Sequence, residues 1–138
     1  MKCIFSDGAL LNYDINNIDI PIDVKEFWSL TESAILFKDV EFDQWGLHIL
    51  PLNEAIKLAT EEKTVRKNQY IINDYIIGKF IGDSDLLVIS CEKGIEYGKV
   101  RISTPIDPRS EWPILAQTFT EYLKLYIENE GVKYWEEH

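Results

Sequence analysis

A chain of 138 residues, 46% hydrophobic and 12% aromatic, has enough apolar mass for one buried core, which excludes a disordered chain. Its 24 Asp and Glu outnumber 14 Lys and Arg, for a formal net charge of −10. That balance argues against nucleic acid or an anionic membrane as the main partner, since both select Lys/Arg clusters, and it suits either solubility or a basic protein partner.

Taken in chain order, "IPIDVKEFWSLT" (20–31) reads as a helix. Pro21 suits its first turn, and Val24, Phe27, Trp28 and Thr31 recur at helical spacing. "AILF" (34–37) reads as a short buried strand. "EFDQWGLHIL" (41–50) alternates from Trp45 through Leu47 to Ile49, which predicts a half-exposed strand with Trp45 in the core. Pro51 opens a second helix with Leu52, Ala55, Ile56 and Ala59 on one stripe, followed by a charged connection over 61–68. "QYIINDYIIGKFIG" (69–82) favours strand, with Asn73 and Asp74 as a turn. "DLLVIS" (85–90) reads as a fully buried strand. A hairpin at 92–94 leads into a strand over 95–103, where Gly98 marks a bulge. Three prolines make 104–113 a loop, and Leu115, Phe119, Tyr122, Leu123, Tyr126 and Ile127 predict a last helix that stops at Gly131. Strands joined by short turns imply antiparallel pairing. The expected fold is therefore α+β, a mostly antiparallel sheet with helices packed on one side. No repeat or linker-like stretch divides it, so a single domain over residues 1–138 is expected.

The stretch "FIGDSDLLVIS" raises the question of chemistry. Asp83 and Asp85 have the spacing of the nucleophile and acid/base pair in phosphatases of the haloacid-dehalogenase type. Against that reading, Leu87 stands where Thr or Val is needed, the chain continues directly as a strand, and too little chain follows Asp85 to complete a doubly wound fold. Phosphate loops place glycines before a helix, and calcium loops need more oxygen ligands than this stretch offers. A turn is the simpler reading. His48 lies within a strand and His138 is the last residue given; with Cys3 and Cys91 they complete the soft-ligand inventory, so neither a metal nor a cofactor is expected. The cysteines are read as two buried free thiols in a reducing cytosol. "MKCIF" is too short for a signal peptide, and no window approaches the ~18 apolar residues of a membrane helix, so the expected location is cytoplasmic.

In order, the Pro-led "IPIDVKEFW", the passage "GLHILPLNEAIKLATEE", the turn and strand "FIGDSDLLVIS", the strand "YGKVRIS" and the terminal helix "AQTFTEYLKLYIE" resemble the SUKH superfamily over about residues 18–130. That fold is shared by Syd, a cell-wall assembly regulator and many bacterial toxin-immunity proteins. The resemblance implies an α+β domain without an active site. It also implies a partner, a cognate toxin domain of nuclease type, which would be basic because its substrate is anionic. Occlusion of that toxin, without catalysis, is the expected function. The alternatives are a regulatory or scaffold module for another protein and, more remotely, an Asp-dependent phosphohydrolase. Candidate partner-binding residues are Asp83 and Asp85 in the central turn, and Asp107, Glu111 and Trp112 in the later loop, because loops carry recognition and an exposed Trp beside acids is a strong anchor. Trp112 has a competing reading as a plug at the end of the last helix.

Overall fold

A computed structural model describes residues 2–6, 19–39, 45–66 and 69–136. Its strands form one seven-stranded sheet in which chain order is spatial order and every neighbouring pair is antiparallel. The strands are β1 (Lys2–Phe5), β2 (Ala34–Lys38), β3 (Leu47–Ile49), β4 (Asp74–Phe80), β5 (Leu86–Ser90), β6 (Val100–Ser103) and β7 (Ile114–Ala116). Helix α1 (Ile22–Leu30) lies between β1 and β2, α2 (Leu52–Val65) between β3 and β4, and α3 (Phe119–Glu128) follows β7. The fold is α+β, as the strand and helix patterns predict.

Alternation along β5 divides the interior in two. Leu87 and Ile89 face the main core, where Val24 and Trp28 of α1 and Phe119, Tyr122 and Tyr126 of α3 pack on Leu36, Leu47, Ile77 and Ile102. Leu86 and Val88 face a smaller cluster with Ala59, Tyr70, Ile76 and Trp112. Helices α1 and α3 thus share one face. Helix α2 reaches both clusters, with Leu52 and Ala55 in the first and Ala59 in the second.

Local chemistry explains the helix ends. Pro21 and Pro51 stand at the N-caps of α1 and α2, one residue outside the first turn. Thr118 caps α3 by accepting from the Glu121 amide at 3.1 Å, while the Glu121 carboxylate accepts from the Gln117 amide at 3.2 Å. Asp23 of α1 accepts from the amide and hydroxyl of Thr120 at 2.9 and 3.0 Å, and Phe27 meets Phe119 edge to face. Inside the core, the Trp28 indole N–H donates to the Leu50 carbonyl at 2.9 Å.

Several boundaries differ from expectation. The strand at 41–50 is only Leu47–Ile49, because Gly46 has φ +131°, a conformation that interrupts the pleat just after Trp45. Residues 41–44 lie outside the described residues. Helix α2 runs on through the charged stretch to Val65, since Glu and Lys are good helix formers; 67–68 lie outside the described residues. Asp74 begins β4 rather than ending a turn. The strand expected over 95–103 begins at Val100, after a turn that closes with the Gly98 amide donating to the Ser90 carbonyl at 2.7 Å. Leu115 belongs to β7 and not to the last helix.

Candidate functional site

Residues 81–85 form the hairpin turn between β4 and β5. The Phe80 amide donates to the Asp85 carbonyl at 3.2 Å, and Asp83 folds its carboxylate back to accept from the Asp85 amide at 2.9 Å. Both carboxylates of the Asp-x-Asp pair then converge on one cation, Lys133, which donates to Asp83 and, at 3.0 Å, to Asp85. Glu136 adds a third carboxylate 3.8 Å from the same ammonium. Partial burial alone would lower the Lys133 pKa, but the hydrogen bonds to Asp83 and Asp85 outweigh it and raise the pKa above the ordinary lysine value. The ammonium also lies over the Phe80 ring, 4.7 Å from its centroid.

This clamp holds the segment after α3 in place. Gly131 turns the chain with φ +82°, its amide donating to the Tyr126 carbonyl at 3.0 Å. Tyr134 and Trp135 then pack against Tyr122 of α3, and Trp135 meets Phe80 and Tyr126 as well. A groove of about 420 Å³ opens between this segment and the β4–β5 turn. Phe80, Ile81, Tyr126 and Val132 supply its apolar surface; Asp83, Lys133 and Glu136 supply its charge. Trp45 lies at the same groove and is 63% exposed. It is therefore not the core residue that alternation predicted.

The second predicted group sits elsewhere. Asp107 lines a separate cavity with Arg66, Gln69 and Ile106. Its carboxylate accepts from the Thr104 hydroxyl at 2.7 Å; its carbonyl accepts from Arg66 at 3.0 Å and from the Trp112 indole at 3.1 Å. Glu111 is exposed within a short 3-10 turn, Arg109–Glu111. Trp112 is only 4% exposed, so it is no surface anchor. Nor does it plug the last helix: it packs edge to face on Tyr70, under the Arg66 and Arg109 guanidinium groups, on the sheet face away from α3. The expected pairing of exposed acid with an exposed Trp112 is absent there; Asp83 and the exposed Trp45 line the other groove.

Lys133, Glu136 and Val132 were absent from the sequence candidates. A lone lysine after the turn glycine Gly131 in an acidic chain is the signal that points to Lys133, and the Trp45-Gly46 step inside an alternating run is the one that marks Trp45; no local signal marks Glu136 or Val132. His48 is half-buried on β3 opposite Lys79, and His138 lies outside the described residues. Among the described residues, no group of three or more His, Cys, Asp or Glu side chains is arranged to hold a metal, and no helix is long and apolar enough to cross a membrane. No family model and no curated protein sequence matches the chain.

Proposed function

We propose that this chain is a non-catalytic, SUKH-type immunity protein that binds a cognate toxin domain, of nuclease type and basic, and neutralises it by occlusion. One observation carries the reading. The chain engages its arginines internally, while many of its carboxylates stay exposed. All three arginines are engaged by the protein itself: Arg66 with Ser103 and Asp107, Arg101 with Glu96, and Arg109 with Asp74. Glu54 and Glu61 on α2, and Glu121 and Glu128 on α3, remain exposed. These exposed carboxylates and the net charge of −10 favour rapid capture of a basic protein. Engagement of Asp83 and Asp85 by Lys133 weighs against a role as phosphoryl-transfer nucleophile and acid.

Growth rescue tests the proposal. The chain is co-expressed with the C-terminal domain of the toxin encoded by the neighbouring gene. Rescue of growth, with a stable complex on copurification, is the expected outcome. Continued toxicity at equal expression overturns the immunity reading.

A further inference from the structure

We propose that the groove beside the β4–β5 turn receives an arginine side chain of the basic partner, with Trp45 as its anchor. This rests on the protein-binding reading above and names the chemistry of the contact. Three carboxylates, those of Asp83, Asp85 and Glu136, lie within 4 Å of a single resident cation, Lys133. Among the described residues that line the groove, Asp83 and Glu136 outnumber Lys133, which leaves an excess of negative charge there. An anionic occupant is repelled. A wholly apolar one would cover Asp83 and Glu136 without replacing the water they lose.

Lys133 demonstrates on the molecule itself what the groove does to a cation, holding the ammonium between carboxylates and over an aromatic ring. Trp45 and Glu136 offer the same two elements in the open part of the groove. The tryptophan ring is largely exposed, and the Glu136 side chain is 60% exposed. Ile81 and Val132 provide apolar surface for an aliphatic stem. A guanidinium fits better than an ammonium, because its plane stacks on indole while its edge donates two hydrogen bonds to a carboxylate. The chain's own arginines do not compete, being held elsewhere.

The test is a titration of the ¹⁵N-labelled full chain with hexa-arginine amide, and in parallel with hexalysine and hexaglutamate amides. The expected result is that hexa-arginine shifts the Trp45 indole and the Ile81 and Val132 amides most. Hexalysine should bind more weakly and hexaglutamate not at all. Trp45→Ala should weaken hexa-arginine binding about fivefold, and Glu136→Gln should weaken it in the same direction. Shifts spread over the exposed acids of α2 and α3, with affinity unchanged in both variants, overturn the groove assignment. Growth rescue retained in such a case leaves the immunity reading standing without this site. Failed rescue removes that reading, whatever the peptide map shows.

Discussion

Phe37 adopts φ +56°, a left-handed conformation that is costly for an aromatic residue. The strain places its ring edge to face on Tyr126, 5.5 Å between centroids, and directly against Gly131. A Cβ added at Gly131 would meet Phe37 Cβ and Cγ at 2.5 Å, and the residue's own φ of +82° already disfavours any side chain. Helix α3 ends at Glu128, with Glu130 left-handed at φ +53° just past the Asn129 cap, and Gly131 completes the turn and admits the Phe37 ring. Gly131→Ala is expected to cost about 1–3 kcal/mol of stability, measured by urea denaturation. It should also loosen the docked segment, seen as faster amide exchange at Lys133 to Trp135. An unchanged urea midpoint would mean that Phe37 is free to move aside. A turn near Gly131 is legible from its place after an amphipathic run, although the helix stops earlier, at Glu128, and Glu130 takes the left-handed position. The close approach of Phe37 is not, because no local pattern encodes a contact with a strand so distant in the chain.

At the scale of elements, the segment 104–113 reads from its prolines as a loop, yet it is a cover for the second face of the sheet. Arg109 fastens it: the guanidinium pairs with the fully buried Asp74, donating at 3.0 Å to one of its oxygens, and lies over Trp112. The Arg109 amide donates to the Gln69 side chain at 2.7 Å. Arg66 supports the same segment through Ser103 and the Asp107 carbonyl. Removing one member of a buried pair leaves the other charge without compensation. Arg109→Met is expected to destabilise by about 3–5 kcal/mol in chemical denaturation, with Asp74→Asn in the same chain recovering part of the loss. If the single variant is as stable as the parent, the pair does not hold the cover down. Asp74 and Arg109 stand 35 residues apart, so their partnership is invisible to any windowed reading. What could be read was that Trp112 lay among charges; which side of the chain it faced could not.

For the molecule as a whole, β5 is buried on both faces although every pairing is antiparallel, an arrangement in which one face is often left to solvent. Cys91 continues this strand, with its amide donating to the Asn73 carbonyl at 2.8 Å. Burial, reinforced by Asp19 and Asp74, pushes the Cys91 thiol up to about 12. A thiol with a raised pKa stays protonated below that value, so Cys91 is unreactive at pH 8 while the fold is intact. Cys3, expected to be buried like Cys91, is instead exposed, because it lies in β1 at the edge of the sheet. Native protein at pH 8 is therefore expected to label one thiol promptly with an aromatic disulfide reagent, and the second at the rate of unfolding. Prompt labelling of both would show that the end of β5 opens without global unfolding.

Sequence alone determined the α+β class, the acidic balance, helices α1 and α3 and the buried β5. Periodicity and composition are local properties, and they record which side of an element avoids water. Only the tertiary structure decided what meets those sides. It buried Trp112 and exposed Trp45, because a glycine broke the alternation and a loop closed over the sheet. It also joined Asp83 and Asp85 to Lys133, 50 and 48 residues further along the chain, turning a pair of carboxylates that resembled an active site into the anchor of the segment after α3. Charges pair through space, and the distance along the chain that separates them leaves no mark in the pattern of either neighbourhood.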